Sequence, residues 1–440
     1  MNSRFAVLAI LLTVTIVWQV PHTIVLRYGL LVLLGLAAWP VAAARLARPA
    51  TPGERGARLP FMALAAFLLW SVAVAIWVSP GAWASLNDLR AEWLAPTLIL
   101  LLGYGLALRY PENDAVARTV FLGCALHAFM HLVSAVYLPI RGDPVNFSDF
   151  GGISNHRANV TYTSAIALAM LIADTAARAR GNAGFLGINA RWAVAAYLLL
   201  LASTVLSATR NGMAVFAFLS VLGFVLVAAE MRPGVSRAAW VALLACAVIA
   251  FVGSVLGLKH EPRWSNFLAT APVAWDTARN PQWLNGEHDE SNLPVTASGK
   301  PVEPSAYFRI AYLKEGLRLV AEHPWGTRVG RDAFRLAVRE KYGRGGMSHA
   351  HNGLLDLGVG LGIPGVLLWL AFLGSFVVFV VRTTEATGAG LRGALLLVII
   401  AFAARTLLDA TLRDHIVQEY LLTAGALVGA IVMAGSRGRA

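Results

Sequence analysis

Uninterrupted apolar runs of roughly 17 to 25 residues dominate the chain, the length an α-helix needs to cross the hydrocarbon core of a bilayer. Lipid offers backbone N–H and C=O groups no partners, so such runs have to close their hydrogen bonds internally, as helices. About twelve can be marked, near 4–20, 23–44, 60–79, 93–108, 115–138, 158–177, 192–208, 212–230, 238–258, 352–381, 391–410 and 416–434. An even number puts both termini on the same side. With 58% hydrophobic and 14% charged residues, an ordinary soluble globule is excluded. The net charge of +12 has to be read loop by loop in such a chain, and it does not argue for nucleic acid. Cys124 and Cys246 both fall inside apolar runs, which favours core packing over a disulfide or a thiolate metal site. The first run follows Arg4 as in a signal peptide, but no small-x-small cleavage site precedes the second, so it reads as a retained helix.

The pattern breaks once, over about ninety polar residues at 259–350, which divides the chain into spans at 1–258, a loop domain at 259–350 and further spans at 351–440. Orientation follows from basic residues in the short connections. Arg4, Arg45, Arg48, Arg55, Arg58, Arg109, Arg118, Arg178, Arg180, Arg191, Arg232, Arg237, Arg382, Arg392, Arg437 and Arg439 lie on one set of alternating connections. The opposite set and its helix ends hold only Arg27, Arg90, Arg141, Arg157, Arg210, Arg405 and Arg413. The termini are therefore expected to be cytoplasmic and the polar loop to face outward, into a periplasm-like space. Residues 263–304 lack helical periodicity and read as an ordered or semi-ordered loop. After Pro304-Ser305 the spacing predicts an amphipathic helix, with Ile310, Leu313, Leu317 and Val320 on an apolar stripe and Lys314, Glu315, Arg318 and Glu322 opposite. His323-Pro324-Trp325-Gly326 ends it, and a second short helix is expected at 331–341. The expected fold class is an all-α polytopic membrane protein of about twelve spans, with one large outer loop domain containing amphipathic helices.

Chemistry is expected where polarity meets the membrane. Arg210 sits in the turn Ser207-Ala208-Thr209-Arg210-Asn211-Gly212 between two apolar runs, where a guanidinium costs several kcal/mol unless paired or wetted. It reads either as a snorkelling interfacial arginine or as an anion site. Arg309 lies at the edge of the predicted apolar stripe, so it should point toward the junction with the membrane helices. Its planar donor fork suits phosphate, and a structural ion pair is the competing reading. His349 and His351 precede the tenth run, with Asn352 adjoining them and Asp356 one helical turn further on. A neutral imidazole can act as a general base near pH 7, and the bland alternative is a pair of interfacial histidines. His349-x-His351 plus Asp356 could ligate a metal, but no Asp-x-Asp, His-Glu-x-x-His or paired cysteines accompany them, so metal-independent chemistry without a cofactor is expected. Ser203 and Ser207 lie in no nucleophile-elbow pattern. Asn155, Arg157, Arg141, Arg90 and, on the loop helix, Tyr307 are further candidates for substrate binding, with loop solvation as their ordinary alternative. Asp409 with Arg405 or Arg413 reads as an i,i+4 ion pair.

In these residues the chain resembles the O-antigen ligase family, within the superfamily that also holds O-antigen polymerases and bacterial protein O-oligosaccharyltransferases. The resemblance rests on the architecture and on four short motifs. These are Thr209-Arg210-Asn211-Gly212, Arg309 opening the loop helix, the Pro324-Trp325-Gly326-Thr327-Arg328-Val329-Gly330 stretch, and His351-Asn352 followed by Leu361-Gly362-Ile363-Pro364-Gly365. Two departures stand out. Thr209 replaces the serine of many members, and Gly360 occupies the position, nine residues after the histidine, where the pattern often has glutamate, with Asp356 as a possible substitute.

The resemblance implies transfer of a polysaccharide from undecaprenyl pyrophosphate to a sugar hydroxyl of lipid A-core, in the inner membrane, without metal or nucleotide sugar. It makes Arg210 and Arg309 clamps for the pyrophosphate and His351 the group that orients or deprotonates the acceptor hydroxyl, with inversion at the anomeric carbon. His349 and Asn352 would bind substrate beside it. A polymerase would use the same donor with a second lipid-linked glycan as acceptor, and the single dominant outer loop favours the ligase. A protein O-oligosaccharyltransferase would carry more C-terminal soluble sequence. A lipid-linked glycan transporter would need charge at mid-membrane or on both faces, whereas these candidates collect on one side.

Overall fold

The computed structural model describes residues 3–49, 52–142, 152–154, 156–230, 262–287, 292–383, 388–412 and 414–437. It is helical, as the apolar periodicity requires: α1 (Ser3–Val17), α2 (Ile24–Ala47), α3 (Pro52–Trp77), α4 (Ala82–Leu89), α5 (Ala95–Arg109), α6 (Ala115–Ile140), α7 (Arg157–Ala179), α8 (Ala190–Leu206), α9 (Arg210–Glu230), α10 (Pro262–Trp275), α11 (Pro304–Glu322), α12 (Ala333–Tyr342), α13 (Gly353–Arg382), α14 (Ala389–Leu408) and α15 (Asp414–Arg437). Among the described residues nine helices are long and apolar enough to cross a membrane, α4 and α5 counting as one through a π turn at Arg90–Leu94. The expected spans near 4–20 and 192–208 correspond to the shorter apolar helices α1 and α8. The run at 238–258 lies outside the described residues.

The bundle is organised around α7 and α15, the two spans most completely enclosed by protein. α15 packs on α5, α14 on α7, and α13 on α3. Small residues set the α5–α15 distance. A Cβ on Gly103 would lie 2.2 Å from the Leu422 carbonyl oxygen, and one on Gly425 would lie 2.1 Å from that of Leu100. Backbones this close gain van der Waals contact along their length, the term that holds helices together where lipid removes the hydrophobic drive. Polar pairs add to it, Gln19 Nε2 donating to Glu419 Oε2 at 2.6 Å and Trp18 Nε1 to the His415 carbonyl at 2.7 Å.

The polar segment builds a second core from Trp283, Tyr307, Phe308, Tyr312, Leu319, Phe334 and Val338, and that core takes in Leu355 and Val359 from the first turns of α13. Two expectations for this segment change. Residues read as aperiodic include a helix, α10, and a 3₁₀ turn at Pro281–Asn285. The inward face of α11 is Phe308, Ala311, Tyr312, Glu315 and Leu319, while Leu313 and Leu317 are exposed. The aromatic rings decide this rotation, because Tyr312 packs edge-on against both Trp283 and Phe334. Glu315, expected on the solvent face, is buried and accepts hydrogen bonds of 2.6 Å from both Thr277 Oγ1 and Tyr342 OH.

α13 ties the two cores together and is not a continuous helix. Gly362 takes φ +71° and ψ −175°, which frees backbone groups at this break. Two of them find partners: Trp70 Nε1 donates to the Leu361 carbonyl (2.8 Å), and the Ile363 N–H donates to that of Pro324 (2.8 Å). Irregular backbone inside a bundle is tolerated on this condition alone. For the α5–α15 contact, Gly425→Ala is expected to destabilise the detergent-solubilised protein by about 1–3 kcal/mol through overpacking. Gly374→Ala, whose new Cβ meets nothing within 4 Å, serves as the control and should leave the thermal midpoint unchanged or slightly raised.

Candidate functional site

α14 stops at Leu408, and its last carbonyls have no partner within the helix. Side chains from three distant segments supply donors. Asn352 Nδ2 donates to the Leu407 carbonyl (3.1 Å), while Asn211 Nδ2 and Arg309 Nη1 both donate to that of Leu408 (2.9 Å each). The Thr209-Arg210 turn, the loop helix and the histidine segment therefore meet at one helix end. A cation there also complements the partial negative charge of the helix C-terminus. Arg309 does point to the membrane domain, and its partner is a carbonyl rather than a carboxylate. Arg210, first residue of α9, pairs with Glu303 (Nη2 to Oε1, 3.2 Å), a buried carboxylate that also caps α11 by accepting from the Ala306 N–H.

The histidines sit on a tight turn. His351 has φ +53°, the Ala350 N–H donates to Asp356 Oδ1 (2.8 Å), and the Asn352 side chain caps α13 at the Leu355 N–H (3.0 Å). The rings of His349 and His351 are 4.2 Å apart, and the Tyr312 ring lies parallel to His351 at 6.2 Å. His351 is held between two carboxylates: Nε2 hydrogen-bonds Glu287 Oε1, and Nδ1 faces Asp409 Oδ1 at 3.9 Å. Asp409 in turn accepts from Tyr162 OH (3.1 Å) and lies 3.8 Å from Arg405, whose guanidinium covers the Tyr162 ring at 4.4 Å.

This arrangement sets the protonation state. Burial opposes a charge on His351, but Asp409 and Glu287 outweigh it and raise its pKa to about 9. Both carboxyls are likewise held below their ordinary values, against the opposing effect of burial, chiefly by His351. That shift favours the imidazolium at neutral pH, where the sequence suggested a neutral imidazole. Donor atoms of His349, His351 and Asp409 lie within 4.8 Å of one another, a spacing that could accommodate a cation. Metal binding needs a neutral imidazole, so such an ion would have to displace the proton that the two carboxylates retain.

The remaining candidates are dispersed. Tyr307 is fully buried in the loop-domain core, its OH donating to the Asn280 carbonyl (2.6 Å). Arg157 opens α7 and is half-buried, and Asn155 lies outside the described residues. Arg141 caps α6 exposed, over the Tyr137 ring, and Arg90 is exposed on the π turn. Neither is among the groups that meet at the end of α14. Arg405 and Asp409 do approach each other as the spacing suggests, but Asp409 is shared with His351 and Tyr162. Arg413 lies outside the described residues.

Gly360 and Asp356 have structural tasks. The Gly360 carbonyl accepts from the Thr327 and Arg328 N–H groups (3.1 and 3.2 Å), and a side chain there would begin 3.1 Å from the Arg328 carbonyl oxygen. A Cβ on Gly326 would in turn lie 2.3 Å from the Gly360 oxygen, so the two glycine-bearing motifs are the two sides of one backbone contact. Asp356 holds the histidine turn and lines a cavity of about 40 Å³ with Glu92, Arg328 and Arg331, room for a few waters. Among the described residues, the carboxylates that reach His351 are Glu287 and Asp409. Sequence reasoning missed Glu287 and Glu303, which lie in an aperiodic stretch and carry no motif.

The raised pKa has a consequence for stability. The pairing of His351 stabilises the folded protein fully below the ordinary histidine value of 6.5, and this is lost as pH rises through about 9. The thermal midpoint of the solubilised protein should therefore fall between pH 6.5 and 9, and His351→Asn should flatten that fall. An equally steep fall in the variant would contradict the ion-paired assignment.

Comparison with known families adds one match: a family model described as O-antigen ligase covers residues 195–370. That stretch contains Arg210, Glu287, Glu303, Arg309, His349 and His351, and ends before Asp409. No curated protein matches the chain.

Proposed function

We propose that this chain, whose residues 195–370 belong to the O-antigen ligase family, is a membrane glycosyltransferase that moves a polysaccharide from undecaprenyl pyrophosphate to a sugar hydroxyl of lipid A-core. The observation that carries the reading is the convergence at the end of α14, where the Arg210 turn, Arg309 and the histidine turn meet. A polyprenyl pyrophosphate leaves as a multiply charged anion, and fixed guanidinium groups stabilise the charge that develops as the anomeric bond breaks. Arg309 donates in this structure to the Leu408 carbonyl and forms no ion pair among the described residues, with Glu287 and Asp409 near enough to interact with its charge. The turn that carries His351 serves the acceptor on the other side of the anomeric carbon, with His349 and Asn352 beside it. No covalent glycosyl-enzyme is invoked, and the displacement inverts the anomeric centre.

In this reading the protein sits in the bacterial inner membrane with cytoplasmic termini, and 259–350 forms a periplasmic domain. Spans before and after it, 1–258 and 351–440, hold the lipid tails of donor and acceptor within reach. Needing no metal or cofactor, it draws the residues on which the reaction depends, His351, Arg210 and Arg309, from the clustered motifs, while Arg157, Asn155, Arg141 and Arg90 serve as outlying contacts to the glycans. Tyr307 contributes by supporting α11 from within.

Arg309→Ala and His351→Ala should each reduce long-chain lipopolysaccharide by about 10²–10³-fold. The protein should stay in the membrane, and lipid-linked polymer should accumulate, as read on gels from a deletion strain carrying each variant. Arg210→Ala should do the same and also loosen the start of α11 through the unpaired Glu303. Normal ladders in all three would sink the assignment. Loss of the lipid-linked polymer itself, leaving single repeat units, would favour a polymerase.

A further inference from the structure

His351 is poorly placed to touch an acceptor. Its side chain is 14% exposed, Nε2 is taken by Glu287, and Nδ1 is buried, facing Asp409 with no hydrogen-bond partner among the described residues. The Glu287 side chain in front of it is 42% exposed. Of the dyad, the carboxylate is the member a hydroxyl arriving from outside would meet. Oε1 is engaged by the imidazole, which leaves Oε2 to accept a further hydrogen bond.

The position of Glu287 is set by the fold. The 3₁₀ turn at Pro281–Asn285 is anchored by Trp283, buried edge-on against Tyr312 and Tyr342. Beyond it the chain crosses the 345–346 segment at backbone contact. The Gly346 N–H donates to the Leu284 carbonyl (2.8 Å), and a Cβ on Gly346 would lie 2.0 Å from the Asn285 carbonyl oxygen. Gly286 follows with φ +84°, and a Cβ there would lie 2.6 Å from the Gly346 carbonyl carbon. Only glycine at both crossing points permits this approach, which sets residue 287 against the turn carrying His349 and His351.

We propose that Glu287 receives the proton given up by the acceptor hydroxyl, and that His351 positions Glu287 instead of meeting the acceptor itself. This rests on the glycosyl-transfer reading above. As the acceptor oxygen bonds to the anomeric carbon, its O–H bond breaks and the proton passes to Glu287 Oε2. The bond from the anomeric carbon to the phosphate oxygen breaks, and its electron pair leaves on the pyrophosphate beside Arg309 and Arg210. Glu287 then returns the proton to water along its exposed edge. A carboxylate is a serviceable base here, because the hydroxyl becomes acidic only as the new carbon–oxygen bond forms. The second carboxylate now has a purpose: when Glu287 is protonated, Asp409, steadied by Tyr162 and Arg405, still balances the imidazolium.

The test uses the full-length protein in proteoliposomes, with an oligosaccharide on polyprenyl pyrophosphate as donor and purified lipid A-core as acceptor. Glu287→Gln should keep the parent's KM for donor while kcat falls about 10²–10⁴-fold, and its thermal midpoint should fall only toward the parent's own value above about pH 9, as expected for the loss of one partner of His351. Glu287→Asp, which keeps the base on a shorter arm, should retain more activity than Glu287→Gln. Glu287→Ala should regain part of its activity with added sodium formate, which a purely structural role would not produce. Turnover by Glu287→Gln within about threefold of the parent would overturn the proposal, as would failure of formate to restore Glu287→Ala. If the parent itself transfers no glycan from this donor, the glycosyl-transfer reading falls first.

Discussion

The last carbonyls of α14 are the point on which the rest of the arrangement depends. The last carbonyls of a helix have no partner within it, and those of Leu407 and Leu408 lie at an exposed helix end, where each side-chain hydrogen bond contributes about 0.5–1.5 kcal/mol net. Donors from Asn211, Arg309 and Asn352 meet that demand at Leu407 and Leu408. These residues are far apart in sequence and belong to the first turn of α9, the loop helix and the start of α13. Satisfying one helix end therefore docks the loop domain on the membrane bundle. It also decides which charged groups share a space. Since the caps are side chains with functional potential, the same contacts that fold the protein assemble the site.

Within that space, charge alternates: Arg405, Asp409, His351, Glu287, with Arg309 close by. Magnitudes explain why one carboxylate beside His351 would not suffice. Taking an ion out of water costs several kcal/mol even after relaxation, whereas a pair at about 4 Å gains about 4 kcal/mol at an effective dielectric of 20. A single partner roughly breaks even, and a partner on each ring nitrogen leaves a surplus. The imidazolium is thus a product of the whole cluster. Tyr162 and Arg405 belong to the same arrangement, because they keep Asp409 ionised and aimed when its own burial would favour protonation.

Much of this was legible in the sequence, for reasons of scale. Helical spans announce themselves over some twenty residues each, and Arg210, Arg309 and the histidine pair stood out because charge near a membrane needs a reason. The inward face of α11 was misjudged because aliphatic periodicity at Ile310, Leu313 and Leu317 outweighed Phe308 and Tyr312, whose larger rings fill the core. Glu315 read as solvent-facing since nothing near it in sequence reveals Thr277 and Tyr342 as its partners. Glu287 was invisible for a similar reason: its contact with His351 spans 64 residues and depends on two glycines at a backbone crossing. Tyr307 was a candidate for substrate binding, but it stands two positions from Arg309, about 200° round the helix, and faces the loop-domain core.

The break at Gly362 bears on how firmly the histidine turn is held. A continuous α13 would carry its first turns straight on from the membrane axis. With Gly362 in the left-handed region, the segment before it packs into the loop-domain core through Leu355 and Val359, while the segment after it packs on α3. The 324–328 turn is bonded to both sides of the break, through the Gly360 carbonyl and the Ile363 N–H. Motion of the loop domain relative to the bundle is therefore resisted at two places, the Gly326–Gly362 contact and the caps on α14, with the His351 turn between them. A reaction that must align a lipid-held donor with a second lipid-held acceptor gains from such fixing, since misplacement by about 1 Å can cost about 10²-fold in rate. Rigidity at this junction, more than the chemistry of any one side chain, is what the proposed reaction would draw on to use short motifs scattered over half the chain as one site.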